Sequence, residues 1–240
     1  MKPSWADEKV YQVFDEYIER RILKNDSFLT EEQNVITIQS VDDCIERFIV
    51  KIIEGKDSFD NKIKQQFGDA SYQTMLTFAH VNWLWCMAPS DFSHHTKKNV
   101  PKQILGNKKQ TEFREDSYPK GGFGDAGPSI KFRKHKEISF LLLVMKQLKL
   151  KVSENEISVL QQAKDAIESM CIASMYNWEN QENNIIHQDV KQYIPDGKLA
   201  MYNVLLHLSN PDKYEPIASD GHKNRIRHAF RVFIDNAPEK

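Results

Sequence analysis

Apolar residues recur along this chain at helical spacing, in stripes separated by short polar breaks. Val10, Phe14, Tyr17, Ile18 and Ile22 predict an amphipathic helix over 5–23, with Ser4 as its N-cap. Residues 35–38 are β-branched and predict a short strand, although nothing in the chain is an evident pairing partner. Val41, Ile45, Phe48, Ile49 and Ile52 return to helical spacing over 40–53, with Ser40 as cap and Asp43 completing a capping box. Gly55 ends that helix. A shorter helix over 58–67 carries Phe59, Ile63 and Phe67 on one face.

Residues 70–87 differ from these. Met75, Leu76, Phe78, Trp83, Leu84, Trp85 and Met87 put bulk on every side, which predicts a central helix packed by several neighbours. Residues 106–120 are charged and aperiodic and predict an exposed loop. The glycine-rich run 121–129 then turns the chain into a helix over 132–150, and a long helix follows over 153–178. Residues 177–184 form a polar break, and 185–194 lead to a turn at Pro195-Asp196-Gly197. The last part reads as helix, corner, helix. Leu199, Tyr202, Leu205 and Leu206 form the first apolar stripe, and Asn210-Pro211-Asp212 stops it. Ser219-Asp220 caps a final helix with Ile226, Ala229, Phe230, Phe233 and Ile234 on one face and Lys223, Arg227 and Arg231 on another. The expected architecture is mostly α: one helical domain over 1–235 with about eight to ten helices, alternatively with 1–54 as a separate amino-terminal helical subunit, and 236–240 as an exit. Trp83, Trp85, Phe140, Leu206 and Phe230 are its expected core markers.

Composition adds limits. With 40% hydrophobic and 28% charged residues, the 240-residue chain has the makings of a soluble globular protein. A formal net charge of −1 excludes whole-protein steering toward nucleic acid, so any basic surface must be local. Cys44, Cys86 and Cys171 form no CxxC pair and read as buried free thiols, in keeping with a cytoplasmic protein. No apolar run is long enough to span a bilayer, so no membrane association is expected.

Candidate chemistry is sparse. Gly122, Gly124 and Gly127 fit a formal GxGxxG, but a charged loop precedes it and Pro128 follows, so a turn is the better reading. No GxxxxGK(S/T) phosphate loop occurs, and no nucleotide cofactor is expected. The adjacent His94 and His95 diverge, His187 and Asp189 lack further ligands, and His80 reads as a satisfied core histidine. Asp196-Gly197-Lys198 matches a DxK fragment of restriction nucleases without the strand context. The chain is therefore read as non-enzymatic, with no catalytic or metal residues. Two basic clusters remain as candidate nucleic-acid or partner contacts: Lys131, Arg133 and Lys134 beside the glycine run, and Lys223, Arg227 and Arg231 on the last helix. Lys97, Lys98, Lys102, Lys108 and Lys109 are possible additions, and Phe132 is an accessible aromatic beside the first cluster.

One resemblance concerns the carboxy-terminal corner. His207-Leu208, Pro211-Asp212, Tyr214-Glu215-Pro216-Ile217, Ser219, His222-Lys223, Ile226 and Ala229-Phe230 keep the spacing of HLLFPDxFEPIVSxxHKxxIVxAF without a gap. That pattern is similar to the corner ahead of the AAA+ motor in McrB-like restriction and phage-defence proteins. Phe59, Lys62-Ile63, Gln65-Gln66-Phe67, Ala70 and Thr96-Lys97 resemble the earlier part of the same region. The resemblance implies a sensor, docking or assembly module of a McrB-like AAA+ defence system. Its partners would be an AAA+ motor domain or subunit and a nuclease subunit. The alternative is a nucleic-acid-binding module that meets DNA through a basic helical face.

Overall fold

Hydroxyl side chains start half of the described helices. The backbone N–H groups of Asn61, Thr74, Thr96 and His222 each donate to the serine three residues earlier: Ser58, Ser71, Ser93 and Ser219. Each such cap satisfies an orphan donor of the first turn. Thr37 and Ser40 form a reciprocal capping box, and Asp7 accepts from Lys9 N at 3.0 Å. The first two helices therefore begin at residues other than the expected caps. Asp7 replaces Ser4, and Ser40 sits three residues inside a helix capped by Thr37. The computed structural model describes residues 2–106, 112–176 and 199–231.

Ten α-helices lie among the described residues, with no strand. They are α1 (Glu8–Tyr17), α2 (Ile38–Ile45), α3 (Phe59–Phe67), α4 (Tyr72–Met87) and α5 (His94–Leu105). They continue as α6 (Ser129–Phe132), α7 (Lys134–Ser153), α8 (Leu160–Tyr176), α9 (Ala200–Ser209) and α10 (Asp220–Ala229). Wider π-helical turns, Ile18–Leu23 and Glu46–Val50, extend α1 and α2.

Several expectations are corrected here. The strand over 35–38 does not form: Ile36 is buried as an apolar plug, and Thr37 caps α2. The helix expected from 153 starts later, because α7 runs through Ser153 and the chain turns at Asn155 (φ 60°) before α8. The loop over 106–120 is not wholly exposed. Ser117 and Tyr118 are buried, Ser117 Oγ donates to Phe28 O at 3.0 Å, and Arg114 binds Glu16 at 2.6 Å and Glu31 at 3.0 Å. Helix α5 lacks a clear apolar period and escaped the pattern reading. The expected features at 177–198, among them the Pro195 turn, His187, Asp189 and Asp196-Gly197-Lys198, lie outside the described residues. So do Lys108, Lys109, Phe233, Ile234 and 236–240.

Helix α4 is the centre. Every residue from Thr74 to Met87 is buried, and α2, α5 and α7 pack around it. Tyr17 stacks on Trp83 at 5.3 Å, and Phe28 meets the same ring at 4.6 Å. Trp85, Phe140 and Leu206 are also buried, as are all three thiols. A second wholly buried helix, α9, packs against α8 and α7. Leu199 offers no side-chain cap to it; the buried Glu137 of α7 does so across the core. Its two oxygens accept from Ala200 N at 2.9 Å and Met201 N at 3.0 Å. A carboxylate at a helix N-terminus satisfies both orphan donors and the helix dipole. One hydrophobic cluster joins residues from α1 through α9.

Candidate functional site

The corner between α9 and α10 is held by side chains rather than by backbone regularity. His207 is buried in α9 and reaches two elements. Its Nδ1 lies 2.7 Å from Tyr214 O, which can only accept, so Nδ1 carries the proton. Nε2 therefore accepts from the Tyr11 hydroxyl of α1, also at 2.7 Å. Burial lowers the His207 pKa and keeps this ring neutral, while burial pushes the Tyr11 phenol up to about 12. Glu168 of α8 holds the outer side of the corner. The Tyr214 hydroxyl donates to it at 2.7 Å and Lys213 pairs with it at 2.5 Å. Burial acts to raise that carboxyl, but the Lys213 and Tyr214 bonds, together with the Lys213 charge and Asn210, hold the group below its ordinary range. Asn203 Nδ2 donates to Ala218 O at 3.2 Å, closing the inner side.

The glycine run threads behind this corner. Phe123 is fully buried against His207, with ring centroids 4.6 Å apart. A Cβ on Gly124 would come within 2.7 Å of Pro216 O, and one on Gly122 within 2.4 Å of Ala88 O. Both glycines are required by close backbone approach, not by a phosphate. His80 likewise serves the interior. Its Nε2 accepts from Phe28 N at 2.9 Å and Leu29 N at 3.2 Å, with Nδ1 donating to Leu76 O.

The six basic candidates take different places. Lys131 lies over the Phe92 ring at 5.2 Å, beside an 88% exposed Phe132. Arg133 is half-buried. Lys134 turns inward, its Nζ 3.8 Å from the Phe59 centroid and 4.7 Å from that of Trp85. Lys223 faces Glu215 at 3.5 Å. Arg227 and Arg231 are exposed. Of the additional lysines, Lys97 is buried on Gly121 O, and Lys98 pairs with Glu115.

The apolar face of α10 is the main correction in this region. Ile226 and Phe230 were expected to anchor the helix to the core, yet they are 46% and 54% exposed. Both apolar and basic residues of α10 therefore meet solvent. A separate groove of about 450 Å³ lies between α3 and α5, with Met75 of α4 and Lys134 of α7 also in its lining. The pattern reading missed it because α5 was not foreseen. Among the described residues, no group of three or more His, Cys, Asp or Glu is placed to hold a metal ion. Comparison with protein-family models, with curated proteins and with solved structures finds no match for this chain.

Proposed function

We propose that this chain is a non-enzymatic docking module of a McrB-like AAA+ defence system, and that α10 is the element that meets the motor. The observation that carries the reading is the exposed apolar face of α10. Ile226 and Phe230 stand out of the core on a helix whose start is fixed by Ser219 and by the His207–Tyr214 corner. A capped helix whose large apolar residues stay about half exposed suits burial against another surface. The resemblance of the corner to the segment ahead of the AAA+ motor supports the motor as that surface. The residues that carry the resemblance, His207, Tyr214, Pro216 and Ser219, are those that aim α10.

The nucleic-acid alternative draws less support. Lys134 is turned into a groove, and Lys223 already has a carboxylate neighbour. The test is co-purification with a co-expressed McrB-like AAA+ motor subunit, with Ile226→Asp/Phe230→Asp and Arg227→Glu/Arg231→Glu compared. Loss of assembly in the first double variant, with its fold intact by circular dichroism, is the expected result. Intact assembly in both sinks the docking reading. Salt-sensitive DNA binding lost in the arginine variant would favour the alternative.

A further inference from the structure

The groove between α3 and α5 is independent of α10 and of the docking proposal. Phe59, Ile63, Phe67, Met75, Val100 and Ile104 supply its apolar walls. Its volume, about 450 Å³, is that of a small-molecule site. Its polar lining is spare. Asp60 and Lys64 are exposed at the rim with opposite charges, four residues apart on α3. Lys134 is the inward-turned cation of the described lining, and Asp60 acts on it only from beyond ion-pair distance.

The surroundings of Lys134 favour an anion. Its half-buried ammonium is cushioned by the faces of Phe59 and Trp85. Among the described residues, no carboxylate or carbonyl lies within hydrogen-bond distance of Nζ, so its three N–H donors have only ring faces and the open groove. It is also the first residue of α7, where the helix dipole disfavours a cation and favours an anion. Arg133, at the cap position, supplies no side-chain cap. Burial lowers the Lys134 pKa to about 8, against the nearby Cys86 and Asp60, which raise it. The amine is thus charged at neutral pH but desolvated, and a bound carboxylate would stabilise its ammonium form.

We propose that this groove binds a small amphiphilic monocarboxylate, its apolar body between α3 and α5 and its carboxylate on the Lys134 ammonium. A dianion is a poorer match, because a single inward-turned cation leaves its second charge uncompensated. A neutral amphiphile leaves the ammonium unpaired.

Sodium decanoate and decanol, both kept below aggregation and titrated calorimetrically, test this directly. The expected result is one decanoate site per chain, at least tenfold tighter than decanol at pH 7. The preference should shrink at alkaline pH, as the ammonium loses its proton. Lys134→Met keeps the length of the side chain and removes the charge, so it should bring decanoate down to the decanol level while sparing decanol. Val100→Trp, at a half-buried wall position, should block both ligands with the fold intact. Ile226→Asp/Phe230→Asp should change neither, which separates this site from the α10 surface. No decanoate binding to the wild type, equal affinity for acid and alcohol, or an unchanged preference in Lys134→Met would each overturn the proposal.

Discussion

Helices α4 and α10 both present large apolar side chains, which meet opposite fates. In α4 the bulk points in every direction, and neighbours cover it on every side. In α10 the apolar residues form a stripe, and Ile226 and Phe230 on that stripe remain about half exposed. The contrast teaches that an apolar stripe states a demand for cover without naming what supplies it. A helix that is apolar all round has no such freedom, because only a central position can satisfy it. Each helix also has its own fastening. α4 is held by packing, whereas the direction of α10 is set by a few polar contacts at its base, through His207, Tyr214, Glu168 and Ser219.

That contrast can be broken by substitution, and the largest effect belongs to the centre. Trp83→Ala removes a fully buried ring packed by Tyr17 and Phe28, and should cost about 3–5 kcal/mol in urea unfolding. A loss below about 1 kcal/mol would show that α4 is not the centre it is taken to be. Glu137→Ala strips two charge-assisted bonds from the buried start of α9, and a loss of roughly 2–4 kcal/mol is expected. Glu137→Gln, which keeps acceptor capacity for only one of those bonds, should recover part of it.

The corner should respond next. His207→Ala orphans the Tyr11 hydroxyl and the Tyr214 carbonyl contact, for about 1–3 kcal/mol. Its pH dependence has a definite sign. The folded pKa of His207 is lowered by burial, and so is that of His135. The unfolded chain therefore binds more protons below the ordinary histidine value of about 6.5, and stability falls as the pH drops through it. Urea midpoints from pH 8 to 5 should decline in the wild type and less steeply in His207→Ala; parallel curves would show that His207 is not part of that dependence. Smallest of all is Phe230→Ala, which should change stability by less than about 0.5 kcal/mol while impairing assembly with the motor. A loss of several kcal/mol there would mean that α10 is core after all, and the comparison with α4 would collapse.

Much of the architecture was legible without coordinates. The mostly helical class, α3, α4 and α9, the Ser219 cap, and the burial of Trp83, Trp85, Phe140 and Leu206 follow from local spacing and cap chemistry. These depend on neighbours within one helical turn, so a single chain of letters contains them. His80 as a satisfied core histidine was legible too, because an apolar helix leaves it little else. The residues of the corner were also visible, but as a spacing whose physical content was hidden.

Tertiary structure decided the rest. Glu137 capping α9 joins residues more than sixty positions apart, and Tyr11 bonding His207 spans 196. Gly124 is glycine because Pro216 passes over it, a reason that its own neighbourhood does not carry. The groove exists only because α3 and α5, themselves apart in sequence, come together over Met75 of α4, and Lys134 belongs to it only because α7 begins beside it. Read as one of a run of basic residues, Lys134 looked like a surface charge. Two aromatic faces from α3 and α4 made it something else, because the solvation of a charge is set by whatever the folded chain brings beside it.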